Sequence, residues 1–230
     1  MLEDIMARDE WAIIILDACR YDYFKKLINN YIPGGALQAR RSPGSCTLEF
    51  LNNEFRGRYD CIVISSNGFL QDRPIKHPDG WYFNGLEHFR KVVNLFSHNW
   101  SDELMTVPPW EVNKVALENI EDRMLIWYIQ PHFPAIGKVK LIMNANQIKK
   151  AWKAGRLSLS TIRLAYEYNL RLVLSYVAKL IKRLPHKLIV ITSDHAELLG
   201  EGGKFNHPCC SNSPILRTVP FYIIKSKNLA

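Results

Sequence analysis

The chain has 230 residues and a formal net charge of +8, and its 47% hydrophobic and 23% charged residues are ordinary for a soluble globular protein. This length suits one domain, residues 1–230, with a substantial buried core. The apolar runs are too short to cross a bilayer, and the start of the chain is neither basic nor strongly apolar. We therefore expect neither a membrane span nor a signal peptide.

Strand and helix patterns alternate in the first half of the chain. An apolar run ending at Leu16 predicts a strand, and residues 21–30 are typical of a helix. Residues 47–55 predict a second helix, and residues 59–65 form a β-branched run that predicts a second strand. Turn-forming and aromatic residues dominate about residues 67–110, where we expect irregular structure.

The alternation continues in the second half. Residues 113–121 predict a helix and residues 124–129 a third buried strand, while apolar residues three or four apart from Leu159 to Leu184 predict a long amphipathic helix. Residues 188–191 and 219–224 predict two further strands. Strands separated by helices imply an α/β fold with a mostly parallel central sheet and helices on both faces.

Basic residues are concentrated in a helical segment of about residues 138–187, where Glu167 is the only acidic residue. Such a segment is either a solvated face or a surface for weak, salt-sensitive contact with a polyanion or an acidic membrane. No sequence-specific nucleic-acid motif accompanies it, so we expect no specific nucleic-acid partner.

The cysteines are odd in number and include no C-x-x-C pair; they are Cys19, Cys46, Cys61, Cys209 and Cys210. This pattern predicts neither a disulfide framework nor a zinc ribbon. A cytoplasmic, reducing location is the simplest interpretation.

Polar side chains follow three predicted strands at the point where each ends. Asp17 follows the first strand, His132 lies just beyond the third, and Asp194 and His195 follow the strand at residues 188–191. The carboxyl ends of parallel strands meet at one sheet edge, so these groups are expected to approach one another. The aspartates alone could be helix N-caps. Carboxylates combined with imidazoles instead favour one or two divalent metals, zinc or manganese, over magnesium or calcium.

A helix start near residue 47 is a candidate nucleophile site, because its free N–H groups and dipole favour an anion. Ser45, Cys46 and Thr47 are the candidates, and each could also serve as a cap. Arg40 and Arg41 lie just upstream and could hold an anionic substrate or be solvated.

The combination of Asp17 after a first strand, Thr47 at a helix start, the His132-Phe133-Pro134 triplet, the Asp194-His195 pair and the later His207 resembles the alkaline phosphatase superfamily. The similarity is strongest to its sulfatase-like branch, which includes phosphoethanolamine and lipoteichoic-acid-type transferases. The resemblance implies an alkaline-phosphatase-like fold, with Thr47 as a covalent nucleophile that also contacts the metal. It implies metal binding by Asp17, Asp194, His195 and His207, and it places His132 near the transferred group. From their positions near the helix start, Ser45, Arg40 and Arg41 are expected as further substrate contacts. The two histidines His132 and His207 could instead complete a second zinc site.

The implied function is hydrolysis or transfer of a small-molecule or lipid-linked phosphate ester through a Thr-linked intermediate. Sulfate-ester hydrolysis is an alternative, but Cys46 lacks the Cys-x-Pro-Ser-Arg setting in which sulfatases form formylglycine. A second alternative is a non-catalytic module of the same fold that binds polyanions or acidic lipids through its basic surface.

Overall fold

The computed structural model describes residues 1–225. Its strands are β1 (Trp11–Leu16), β2 (Ala36–Arg41), β3 (Tyr59–Ser65), β4 (Pro74–Lys76), β5 (Tyr82–Asn84), β6 (Phe89–Asn94), β7 (Arg123–Tyr128), β8 (Leu188–Thr192), β9 (Leu198–Leu199), β10 (Phe205–Asn206) and β11 (Thr218–Lys225). Its helices are α1 (Glu3–Met6), α2 (Tyr21–Leu27), α3 (Thr47–Glu54), α4 (Gly85–His88), α5 (Leu95–His98), α6 (Pro109–Glu118), α7 (Ala145–Lys153), α8 (Leu159–Ile181) and α9 (Pro214–Arg217). Two 3₁₀ turns cover Ile28–Asn30 and Glu201–Gly203.

Within residues 1–225 the central sheet has seven strands in the order β2-β11-β8-β1-β7-β3-β6. The strands from β8 to β6 are parallel, and only β11 and β2 at one side run antiparallel to their neighbours. All six residues of β1 are buried, as expected for a central strand covered on both faces. The predicted α/β fold with a mostly parallel sheet is confirmed.

Two apolar layers cover the faces of the sheet. Alternate residues of β1 point to opposite sides: Ile14 packs in one layer with residues of α8, and Ile13 packs in the other with Phe50 of α3. The predicted apolar stripe of α8 is confirmed, because residues such as Val173 and Val177 are fully buried against the sheet. Nonpolar burial on both sides accounts for the placement of helices on both faces.

The segment expected to be irregular, residues 67–110, contains more regular structure than the sequence indicated. It forms the β4–β5 hairpin, and β6 within it joins the central sheet beside β3. The sequence also gave no signal for β2. Both β6 and β2 are edge strands with several exposed or polar positions, so their hydrophobic patterns are weak. In the described part of the chain, no helix combines the length and the apolar character needed to cross a membrane.

The carboxyl ends of β1, β7 and β8 are joined by polar contacts beyond the strand ladder. The Asp17 amide donates to Tyr128 O at 2.9 Å, which links the end of β1 to β7. The Ser193 hydroxyl donates to Leu16 O at 2.6 Å and accepts from the Cys19 amide at 2.8 Å, which links β8 to β1. These bonds fix the backbone from which Asp17 and Asp194 project, as expected at a ligand-binding edge of an open α/β sheet.

Candidate active site and metal centre

Thr47 is the first residue of α3, and its hydroxyl lies among the polar side chains at the sheet edge. Its Oγ1 donates to Asp194 Oδ2 at 2.8 Å and lies 3.2 Å from His195 Nε2. Cys46 is the N-cap residue and its sulfur accepts from the Glu49 amide, so the cap does not use the Thr47 hydroxyl. The first turn of α3 therefore places the Thr47 hydroxyl in the site, at the helix end where the dipole is positive.

Asp17 is a buried carboxylate close to a second one. Its Oδ2 accepts from Asn67 Nδ2 at 2.5 Å and from Trp127 Nε1 at 3.2 Å. Burial raises the pKa of Asp17 well above its ordinary range, and repulsion from Asp194 raises it further. Two buried carboxylates in one site are costly without positive charge, which a divalent cation would supply.

His195 is fully buried and lies between the two aspartates. Its Nε2 is 3.1 Å from Asp194 Oδ2 and 4.0 Å from Asp17 Oδ1, while Nδ1 donates to Ala196 O at 3.0 Å. Burial opposes protonation, but Asp194 outweighs it and the pKa of His195 rises to about 9. In the metal-free protein a proton on Nε2 thus occupies the direction in which a cation would be bound.

Ligand atoms of Asp17, Asp194 and His195 all lie within 4.8 Å of one another. Two carboxylates and one imidazole, with the Thr47 oxygen beside them, form a mixed oxygen and nitrogen set that fits zinc or manganese. We call this group the first metal position. In the metal-free protein the proton of His195 balances part of the negative charge of the two buried carboxylates. A bound cation would replace this proton and balance the charge more fully.

Metal affinity at the first metal position should rise with pH, because the cation must displace the proton of His195. Between pH 7 and pH 9 we expect the apparent affinity to increase by about tenfold per pH unit and at least one proton to leave per ion. Isothermal titration calorimetry in buffers of different ionisation enthalpy measures both quantities. Affinity that is constant across this range would contradict the assigned protonation of His195.

A second group of possible ligands lies beside the first. It comprises His132, Glu197 and His207, whose ligand atoms also fall within 4.8 Å of one another. Glu197 Oε2 is 3.3 Å from His207 Nδ1 and 3.7 Å from His132 Nε2, whereas Glu197 Oε1 is buried and has no hydrogen-bond partner among the described residues. An unpartnered buried carboxylate oxygen fits an additional cation. We call this group the second metal position.

The two histidines of this group also suit metal binding. His132 Nδ1 lies 2.6 Å from Phe133 O, and because a carbonyl only accepts, Nδ1 donates this bond and Nε2 is the ring nitrogen on the side of Glu197. Burial, together with the neighbouring histidines, lowers the pKa of His207 well below its ordinary value. His207 is therefore neutral, which is the form that binds metals.

Two residues of this region were missed by the sequence analysis. Glu197 follows Asp194 and His195 closely enough that its acidity could have marked it as a third ligand. Asn169 interrupts the apolar stripe of α8, and its Nδ2 lies 3.1 to 3.2 Å from the carbonyl oxygens of Pro131, His132 and Pro134. This buried amide fastens the loop that carries His132, and a polar residue within a core-facing stripe was the available signal.

The two metal positions border one pocket of about 190 Å³. Asp17, Thr47, His132 and His207 line its reactive side. The rest of its lining is largely apolar and includes Phe69, Phe96, Trp100, Met105, Ile129 and Phe133. Phe96 and Trp100 pack edge to face with ring centroids 5.0 Å apart. The pocket can therefore place an ester of phosphate beside Thr47 with an apolar group against the aromatic wall.

Three predicted substrate contacts lie elsewhere. Ser45, predicted to contact the substrate, is fully buried, and its hydroxyl contacts Glu49, Pro208 and Ser211 and does not line the pocket. Arg40 stacks on Phe221, with its guanidinium carbon 3.4 Å from the ring centroid, and donates to Met1 O. Arg41 is an exposed residue of β2, and neither arginine lines the pocket. Both arginines belong to the edge strand β2, which the sequence did not predict, and their positions in this strand lie outside the pocket lining.

The cysteine prediction is also corrected. Cys46 and Cys209 form a disulfide across 163 residues of sequence, whereas Cys19, Cys61 and Cys210 are free. Spacing did not reveal the pair, because the two cysteines meet only when the loop after His207 packs on α3. The inference of a reducing cytoplasm depended on the absence of a disulfide and loses its support, since disulfides persist in oxidising compartments.

No protein-family model matches the sequence, and no curated protein matches it significantly. Solved structures do share the fold. The soluble domain of lipooligosaccharide phosphoethanolamine transferase A from Neisseria meningitidis superposes with a TM-score of 0.68 at 15% identity, covering 95% of this chain and 76% of that one. The match to the integral membrane protein of the same name spans 48% of that protein's length.

Two other structures extend the comparison. The C-terminal periplasmic domain of EcEptC from Escherichia coli, solved in complex with Zn, gives a TM-score of 0.54 at 13% identity, covering 97% of this chain and 75% of that one. The phosphonate monoester hydrolase of Agrobacterium radiobacter gives 0.60 at 13% identity, covering 95% and 68%. This chain thus has the alkaline-phosphatase-like fold of these transferase and hydrolase domains, as the sequence resemblance predicted.

Proposed function

We propose that this protein is a metal-dependent hydrolase or transferase of phosphate esters, in which Thr47 carries the phosphoryl group between two half-reactions. The observation that carries the proposal is the position of Thr47 Oγ1. It lies at the start of α3, within hydrogen-bonding distance of Asp194 and His195, and at the reactive side of the pocket. The transferase and hydrolase activities named for the structural neighbours support the same reaction class.

In the first half-reaction Thr47 Oγ1 forms a bond to phosphorus while the bond from phosphorus to the leaving oxygen breaks. The hydroxyl proton leaves along the existing hydrogen bond to Asp194 Oδ2, and the leaving oxygen takes up a proton from solvent. In the second half-reaction the oxygen of water or of an acceptor alcohol forms a bond to phosphorus and releases its proton to solvent, while the bond from phosphorus to Thr47 Oγ1 breaks and Oγ1 takes back the proton held by Asp194. The helix N–H groups at the start of α3 favour the negative charge of the transferred group throughout.

Asp17, Asp194, His195 and Thr47 would hold one divalent cation, and His132, Glu197 and His207 a second. Bound there, zinc or manganese lowers the pKa of a nucleophilic oxygen and neutralises charge on the transferred phosphoryl group. Without it, Asp17 and Asp194 repel each other beside the nucleophile. The solved complex of one neighbour with Zn supports this choice of metal.

The substrate we propose is a small-molecule or lipid-linked phosphate ester whose ester group is apolar. Much of the pocket lining is aromatic or aliphatic, and no lysine or arginine of the described chain lines the pocket. An apolar group gains free energy by leaving water at such a surface, whereas the additional negative groups of a polyanionic substrate would find no lysine or arginine there.

The alternatives fit the site less well. A sulfatase needs a free cysteine to mature into formylglycine, but the sulfur of Cys46 is bonded to Cys209. A non-catalytic module that binds polyanions through the basic segment of residues 138–187 would not need two groups of metal ligands around Thr47.

Purified protein loaded with zinc or manganese should hydrolyse an aryl phosphate monoester or diester and leave the matching aryl sulfate intact. Release of the aryl alcohol, followed by absorbance, measures both reactions. A burst of one alcohol per protein before the steady state would indicate the covalent intermediate. Metal-loaded protein that turns over the sulfate alone, or no ester of the panel, would contradict the proposal.

A further inference from the structure

The segment after His207 is fastened to the helix that carries Thr47. His207 belongs to the second metal position, and Cys209, two residues later, is bonded to Cys46, the residue before Thr47. A covalent bridge thus connects the backbone next to the proposed nucleophile with the backbone next to a proposed metal ligand. The two segments are 163 residues apart in sequence and share no strand or helix.

Polar contacts reinforce this bridge. The Ser45 hydroxyl lies 2.9 Å from Pro208 O and accepts from the Ser211 amide at 2.9 Å. Glu49 Oε2 accepts from the Cys210 amide at 3.0 Å and from the Ser45 amide at 2.9 Å. Three of these bonds, those to Pro208, Cys210 and Ser211, join α3 or the residues just before it to the loop after His207. The bond between Ser45 and Glu49 lies within the start of α3 itself.

Glu49 is itself held from the opposite side. Arg217, a buried residue of α9, pairs with Glu49 Oε1, and its Nε donates to Ser211 O at 2.7 Å. The loop is therefore enclosed between α3 and α9. A buried ion pair whose members also hydrogen-bond to the loop backbone restricts where that backbone can lie.

The loop needs such restraint, because its backbone is in an unfavourable conformation on both sides of His207. Asn206 has a φ of +74° and Cys210 a φ of +58°, in the left-handed region that residues other than glycine rarely adopt. Conformations of this kind persist when the surrounding structure enforces them. Without the bridge to Cys46, fewer contacts would hold the loop in the conformation that places His207 beside Glu197.

We propose that the Cys46–Cys209 disulfide, together with Ser45 and Glu49, is a latch that positions His207 for the second metal position. The proposal rests on the proposed function, since it assigns a regulatory condition to the same site: full metal loading requires the bridged protein. Cys46 and Cys209 are positioning residues and touch neither metal nor substrate. Three of the four groups at the first metal position, Asp17, Asp194 and His195, follow β1 and β8 and do not depend on the latch; only Thr47 belongs to α3.

The test compares wild-type protein with the Cys46→Ala/Cys209→Ala double variant. Alanine is preferred to chemical reduction because free thiols would themselves bind zinc. Two readouts are measured: amide hydrogen exchange of residues 205–213 in metal-free protein, and metal affinity by calorimetry. A His207→Ala variant identifies which binding event belongs to the second metal position, and Cys210→Ser, which changes an exposed free cysteine of the same loop, is the matched control.

In the double variant we expect exchange in residues 205–213 to accelerate by about tenfold or more and the affinity of the second metal position to fall by about ten- to a hundredfold, as for other groups that orient a ligand. The first metal position should keep its affinity within about twofold, and Cys210→Ser should match wild type. If the double variant does not fold, Ser45→Ala tests the polar half of the latch and should change both readouts in the same direction by less.

Unchanged exchange and unchanged affinity of the second metal position in a folded double variant, or in Ser45→Ala if that variant is used, would overturn the latch. If wild-type protein binds no metal, the proposed function fails instead, and the exchange comparison alone still decides whether the disulfide holds the loop of His207.

Discussion

Replacing Thr47 with alanine is expected to lower phosphate-ester turnover by more than about 10³-fold, because the variant has no oxygen to form the bond to phosphorus. The fold should persist. Thr47 lies at the first position of α3, where alanine is tolerated, and the lost hydrogen bond to the Asp194 carboxylate costs about 1.5 to 3 kcal/mol. Steady-state kinetics on an aryl phosphate, with thermal unfolding of the same samples, measure both effects.

Two further variants separate chemistry from structure. Thr47→Ser keeps a hydroxyl at the same place and should restore a large part of the activity and the initial burst. Thr161→Ala makes the same kind of change at an exposed position near the start of α8 and should leave turnover unaffected. Near-native turnover in Thr47→Ala would exclude covalent catalysis by this residue, whatever the fate of the metal site.

The sequence predicted the central part of the fold because its signals there are local. β1, β3, β7 and β8 are short apolar runs, and the stripe of α8 repeats at helical spacing, so burial on a sheet face could be inferred from the pattern alone. The approach of Asp17 to Asp194 followed from the parallel arrangement of those strands. Physical chemistry of single segments was sufficient for these features.

What the sequence did not predict depends on contacts between distant segments. β2 is recognisable as a strand only through its pairing with β11, and the same pairing directs Arg40 onto Phe221. The sequence predicted that Ser45 faces the substrate, but the loop after His207 packs on its hydroxyl. The disulfide has the same origin, because two cysteines with no recognisable spacing become neighbours only in the folded chain.

Replacing Asp17 with asparagine is expected to have opposite effects on the metal-free and the metal-loaded protein. Burial and Asp194 raise the pKa of Asp17 above its ordinary value of 3.8, so between that value and the raised one the folded state holds a proton that the unfolded state has released. Stability therefore falls as pH rises above about 4, and the carboxyl costs folding free energy at pH 7. Asparagine has no such cost, and its oxygen can still accept from Asn67 and Trp127. The metal-free variant should unfold at a higher temperature than metal-free wild type.

Bound metal should reverse this order of unfolding temperatures. With free zinc at a hundred times its dissociation constant, wild-type protein should gain about 2.7 kcal/mol from the first metal position, and the variant, which lacks one of the anionic ligands there, should gain far less. Thermal unfolding with and without zinc measures the crossover, and Asp22→Asn, a change at an exposed carboxyl of α2, is the matched control. A merely structural aspartate would lose stability in both states when changed to asparagine. The change in sign is thus specific to a carboxylate that destabilises the metal-free fold but binds a cation. If zinc stabilises the Asp17→Asn variant as much as it stabilises wild type, Asp17 is not a metal ligand.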